Sequence, residues 1–294
     1  MRFLAEFVMQ SRTKAMAVAA VTALIPFLHL ISAAVVALVW LRMEKRDAWP
    51  VAAAAFLPGL IYFFSGDPSV LTVVAMAIIF AELLKQQQNW VYPLYAGLGC
   101  GVVMALSFSW IPQELEQELF DLLLASNPHF ESLGFEADQH SQLLQVFSQL
   151  LNGMITTLQV LTALLSLMLG RWWQAQLYHP QGFALEFQSL RLPAWYGLLL
   201  VVFLLVLWSG WQGLLPLLPL IPLPLIIAAF ALIHGVVRIQ GYNSFWLGLL
   251  YLLMLFAQPY IILLLVGIAM ADSLLDFRSR LAPPPPPSDG SGEA

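Results

Sequence analysis

His29, Glu82, Asn152, His234, Gln258 and Asp272 are polar side chains that fall in, or at the ends of, long apolar stretches. In hydrocarbon such groups cost several kcal/mol unless they find partners, which makes them candidates for a shared polar pocket. His29, Asn152, His234 and Gln258 are the candidate ligand-binding residues. The competing reading has Asn152 and the two histidines bonding neighbouring backbone, with Glu82 and Asp272 at the membrane interface. A second cluster is His129 and His140 beside Glu131, Glu136 and Asp138, which have metal-binding chemistry but a spacing that matches no established ligand pattern. Asp272 and Asp276 stand in Asp-Ser-Leu-Leu-Asp, superficially like the aspartate-rich diphosphate motif of membrane prenyltransferases, yet a second such motif is missing. There is no Gly-x-Ser-x-Gly elbow, phosphate-binding glycine loop or His-Glu-x-x-His helix. The reading is therefore a non-enzyme without cofactor or metal. Cys100 is the only cysteine and lies in an apolar segment, which excludes a disulfide or a thiolate metal site within one chain.

These residues need elements to position them, and composition says which. Hydrophobic residues make up 60% of the 294 and charged residues 10%, against about 25% charged in a soluble domain. A bilayer core is crossed by about 20 helical residues, because unpaired backbone groups are not tolerated there. The expected fold is all-α, a polytopic transmembrane bundle of about eight apolar segments: 15–41, 49–64, 69–84, 91–110, 147–170, 194–210, 214–237 and 246–272. Residues 1–281 read as a single integral membrane domain. The first segment reads as retained rather than as a cleaved signal peptide. No polybasic patch is present, which argues against nucleic acid as a partner and leaves the lipid bilayer.

The loop from Pro112 to Ser141 holds seven acidic residues and no Lys or Arg. Because short cytoplasmic loops collect cations, this loop should face outward, as an acidic amphipathic insertion over 112–146. Counting single crossings from it leaves Arg2, Arg12, Lys14, Arg278 and Arg280 outside as well. The terminal segments offer a remedy. Each is 27 residues long, about 40 Å as a helix, with Pro26 or Pro259 near its middle. If 26–29 and 257–259 turn the chain back as helical hairpins, every cation falls inside; the half-helices, about 20 Å long, then need burial among neighbours. Two long tilted helices are the alternative.

Within the loop, Leu115, Leu119, Leu122 and Leu123 lie on one face of a helix and Glu114, Glu118 and Asp121 opposite, so it should rest on the outer surface. Asp138 is placed to cap a helix running through Phe147 into the fifth segment. Pro216, Pro219, Pro222 and Pro224 are too dense for a regular helix and predict an extended entrance to the seventh segment. Trp172, Trp173, Tyr178, Trp195 and Tyr196 bracket an inner loop as interfacial aromatics. Residues 282–294 read as a disordered, proline-rich tail. Ala15, Ala19 and Ala23 recur every four residues, as do Gly97 and Gly101, giving faces for close helix approach, whether internal or toward another membrane protein.

The layout, the stretch Phe187-Gln-Ser-Leu190-Arg191-Leu192-Pro193 and the ending Gly267-Ile-Ala-Met-Ala-Asp272-Ser-Leu-Leu-Asp276-Phe277-Arg278 resemble the YybS-like family of bacterial membrane proteins, over roughly residues 10–280. That family is distantly similar to the S components of energy-coupling-factor vitamin transporters. The resemblance implies that Ala15, Ala19 and Ala23 contact a membrane coupling protein working with ATPases, although this chain has more apolar segments than typical S components. Physically, Arg191 before Leu-Pro can anchor at lipid phosphates, and Arg278 can pair with Asp272 or Asp276 one turn away. Arg191 and Arg278 are therefore also candidate partner-docking residues. The expectation is a bacterial inner-membrane, multi-pass protein that takes up a small molecule with partner proteins; the alternative is a non-transporting scaffold or assembly factor.

Overall fold

The computed structural model describes residues 2–107, 109–126 and 137–281, and the described residues are helical without a strand. The helices are α1 (Arg2–Met9), α2 (Arg12–Leu24), α3 (His29–Arg42), α4 (Lys45–Phe64), α5 (Ser69–Gln87), α6 (Val91–Ser107) and α7 (Gln113–Ala125). They continue with α8 (Ala137–Tyr178), α9 (Gly182–Gln188), α10 (Ala194–Trp208), α11 (Leu223–Ile239), α12 (Phe245–Phe256), α13 (Tyr260–Leu275) and α14 (Phe277–Leu281). The eight expected segments resolve differently. Helices in Lys45–Phe64, Ser69–Gln87 and Gln139–Tyr178 are long and apolar enough to cross a membrane, and six other apolar helices are shorter.

Both terminal segments break where proline stands. Helix α2 ends at Leu24, with Ile25 as its extended C-cap, Phe27 takes a left-handed conformation (φ 65°), and α3 starts at His29. The Ser32 hydroxyl then donates to the Ala19 carbonyl at 2.7 Å, closing an antiparallel hairpin. Its two arms are about 20 Å long at 1.5 Å per residue, too short to face lipid end to end. Burial solves this for α3, where every residue from Ser32 to Leu41 is buried among α2, α4, α5 and α8. An all-round apolar helix belongs at such a centre. The second hairpin turns at 257–259 between α12 and α13. Its outgoing arm is different, since Leu250 alone is buried in α12.

With both hairpins closed, cations gather at one end, here called the basic end. Arg12 meets Asp47 at the start of α4, and Lys45 meets Glu82 at 2.7 Å near the end of α5. Lys85 donates to the Trp40 and Met43 carbonyls, while Arg42 sits over the Tyr178 ring at 4.4 Å. Arg171 grips Glu186, and Arg191 and Arg278 engage the end of α13. The turns at 25–28 and 65–68, together with α7, lie at the opposite end: Tyr62, near the end of α4, donates to the Leu24 carbonyl at 2.7 Å.

Helix α8 is a 42-residue rod, about 63 Å long and thus twice a bilayer core. It starts at Ala137, one residue ahead of the expected Asp138 cap. Helix α7 forms as expected, but its packing face does not: Phe120 is buried against His140 and Phe147 of α8, leaving Leu115, Leu122 and Leu123 exposed. An aromatic ring fills the space between the two helices, and the leucine stripe points elsewhere. The proline-dense entrance to α11 is not extended. Gln212–Leu217 forms a 3₁₀ helix and turns follow to Pro222, a compact form that lets Pro216, Leu217, Leu220 and Ile221 bury against α6, α8 and α10. Gly153 makes this contact possible, for a Cβ there would stand 2.1 Å from the Pro216 carbonyl oxygen. Of the expected interfacial aromatics, Trp173 and Tyr196 instead turn fully inward, Tyr196 donating to the Ile221 carbonyl at 2.9 Å. The proline-rich tail lies outside the described residues.

Candidate functional site at the basic end

The expected polar pocket does not assemble. Gln258 is exposed at the second hairpin turn and donates to the Met254 carbonyl at 3.0 Å. His234 lies at the other end of the bundle, its Nδ1 2.8 Å from the Phe230 carbonyl and its Nε2 3.2 Å from the Tyr251 hydroxyl. Asn152 staples α8 to the end of α6, donating to the Ala105 carbonyl at 2.9 Å and accepting from Trp110 N at 3.3 Å. His29 is half-buried at the first hairpin turn, facing Asp67. The physical reason is local: a helix offers a carbonyl one turn back, and His234 and Gln258 both take it, which removes the need for a shared pocket.

Ala15, Ala19 and Ala23 are fully buried. Their stripe is consumed by α3 and α4, so it offers no surface to a coupling protein. Gly97 and Gly101 likewise face Phe80, Val160 and Leu220 inside the bundle. His129, Glu131 and Glu136 lie outside the described residues, His140 packs on Phe120, and the described residues hold no group of three or more metal-ligating side chains.

What the structure does bring together is Arg191, Asp272, Asp276 and Arg278, residues of the two motifs. Arg191 Nη1 meets Asp276 Oδ2 at 2.8 Å, while its Nε and Nη2 donate to the Asp272 and Ser273 carbonyls at 3.1 and 3.0 Å. These carbonyls end α13, where a cation is favourable. Asp276 takes the left-handed C-cap conformation (φ 49°) that redirects the chain into α14. Asp272 is buried, accepts from Phe277 N at 3.0 Å and faces Arg278 Nη2 at 3.9 Å. Burial pushes the Arg278 guanidinium below its ordinary value, and the two aspartates pull it back up. Each carboxylate therefore already has an arginine, so Asp-Ser-Leu-Leu-Asp presents no free pair for a Mg²⁺-diphosphate. Glu82 is similarly committed, to Lys45 and to the Trp40 indole at 2.9 Å.

Helix α9 covers this end. Phe183 packs edge-on against Trp90 and Phe187 against His234, while Arg171 holds Glu186 through two donors. Beside it, between the starts of α6 and α10, opens a cleft of about 560 Å³ walled by Asn89, Tyr92, Tyr95, Arg191 and Trp195. Of these, sequence reasoning singled out Arg191 and Trp195. The available signal for the others was the clustering of Trp90, Tyr92 and Tyr95 at a helix start. Together the basic end is an ion-paired platform beside an open cleft. Compared with family models, curated proteins and solved structures, the chain matches none.

Proposed function

We propose that this chain is a multi-pass helical protein of a bacterial cytoplasmic membrane that works as a non-transporting scaffold, recruiting partners through its basic end. The observation that carries this reading is the dispersal of His29, Asn152, His234 and Gln258, of which His234 and Gln258 bond the carbonyl one turn back and Asn152 ties α8 to the end of α6, whereas the motif residues Arg191, Asp272, Asp276 and Arg278 converge. An uptake subunit needs polar groups around a solute cavity; a recruiting platform needs a stiff surface. The resemblance to the YybS-like family rests on the two motifs that build that surface. The positive-inside preference then orients the basic end toward the cytoplasm and α7 outward.

Orientation is tested by cysteine labelling in a Cys100→Ala background. A Ser288→Cys variant in intact cells should resist an impermeant thiol reagent, while Ser126→Cys, after α7, should react; labelling of both at equal rate would reject the hairpin topology. Function is tested by purifying the tagged chain from native membranes in mild detergent. The scaffold reading expects cell-envelope assembly proteins, lost when two exposed cations of the basic end, Arg238 in the last turn of α11 and Arg280 in α14, are replaced by glutamate. Recovery of a coupling protein with ATPases would overturn it in favour of uptake.

A further inference from the structure

The cleft between α6 and α10 carries one charged wall residue, Arg191, and no carboxylate. A guanidinium has five N–H donors in a fixed plane. Nε, one on Nη1 and one on Nη2 are held by Asp272, Asp276 and Ser273, which lock the plane and leave two. Arg191 is thus pre-oriented, and about a third of its side chain remains accessible. Asn89 adds an amide to the same wall, its Oδ1 already accepting from Val91 N.

Apart from Ser273, the remainder of the wall is apolar or aromatic. Tyr92 and Trp195 stand at the rim, 44% and 51% exposed, and Val91, Leu192 and Pro193 complete it. Aromatic residues at a cation-bearing helix start are what meets lipid headgroups at a bilayer surface. A fixed guanidinium beside an apolar rim matches a ligand with a phosphate at one end and hydrocarbon at the other. We propose that this cleft binds the phosphate of a cytoplasmic-leaflet lipid, with Arg191 as its anchor and Trp195 and Tyr92 against its chains. The inference rests on the membrane orientation proposed above. Free phosphate shares the headgroup chemistry but leaves the apolar rim without a role.

The test titrates short-chain phosphatidylglycerol, the matching diacylglycerol and inorganic phosphate into the purified full chain in an uncharged detergent. Arg191→Ala loosens α13 and by itself proves little, so the decisive variants change charge at the exposed rim, Tyr92→Glu and Tyr92→Lys. The lipid should bind in preference to both controls, about fivefold more weakly with glutamate and more tightly with lysine. Equal binding of diacylglycerol would overturn a phosphate site, and equal binding of inorganic phosphate would overturn a lipid one. An affinity indifferent to residue 92 would overturn the location. Retention of the chain in carbonate-washed membranes is scored separately, so loss of lipid binding by a retained protein falls on the cleft and not on the membrane reading.

Discussion

Gly153→Ala should lower stability by about 3 kcal/mol or more, the upper range for forcing atoms into a packed interior. The new Cβ would lie 2.1 Å from the Pro216 carbonyl oxygen and 2.7 Å from its carbon. Backbone cannot rotate away as a side-chain tip can. Either α8 or the 3₁₀ segment must shift, and that shift breaks the seat of Leu220 and Ile221 at the entrance to α11. The measurement is the apparent melting temperature of the detergent-solubilised protein. Gly99→Ala is the internal comparison, because nothing lies within 4 Å of its Cβ, and alanine there should be neutral or stabilising by up to about 1 kcal/mol. If the two variants melted together, the close approach of α8 to Pro216 would be wrong. The smaller clash at Gly101, against the flexible end of Leu220, should fall between them.

Asp272→Ala is expected to cost about 3–5 kcal/mol, the range for removing one partner of a buried ion pair. Both side chains are largely out of water, at 5% and 12% exposure. Losing the carboxylate removes the nearer counter-charge of Arg278, whose Nη2 lies 3.9 Å from it without a hydrogen bond, leaves that guanidinium to Asp276, and also removes the acceptor for Phe277 N. The two losses are separable. Asp272→Asn keeps an acceptor and loses the charge, so it should fall between wild type and alanine. Adding Arg278→Met to Asp272→Asn should recover part of the loss, because an apolar side chain no longer needs a counter-charge. Strictly additive effects in this cycle would show that Asp272 and Arg278 do not act as a pair.

Some of this architecture was legible from residues alone. Prolines 26 and 259 in over-long apolar segments, together with the placement of twelve cations, predicted both reversals, since charge asymmetry and a missing backbone donor act locally. Pairing of Arg278 with one of the two nearby aspartates was legible for the same reason. The choice of aspartate was not. Arg191 takes Asp276 and leaves Asp272 to Arg278, and that division depends on how α10 and α13 are rotated against each other across some eighty residues of chain.

The polar pocket illustrates the limit from the other side. Side-chain type says that a histidine or glutamine in an apolar segment needs a partner, but not whether the partner is a ligand or the carbonyl one turn back. The alanine stripe at 15, 19 and 23 carries the same ambiguity, because close approach looks identical whether the neighbour is α3, α4 or another protein. Gly153 gave a single mid-helix glycine with no repeat around it, and its meaning appeared once Pro216 lay against it. Periodicity, prolines and charge sign thus determined the all-helical class, the breaks at Pro26 and Pro259 and the gathering of cations, since each acts within a few residues. Which faces meet, and hence which polar groups are satisfied and where a cleft stays open, was decided by the tertiary structure, because helix rotation and depth are set only by packing of the whole bundle.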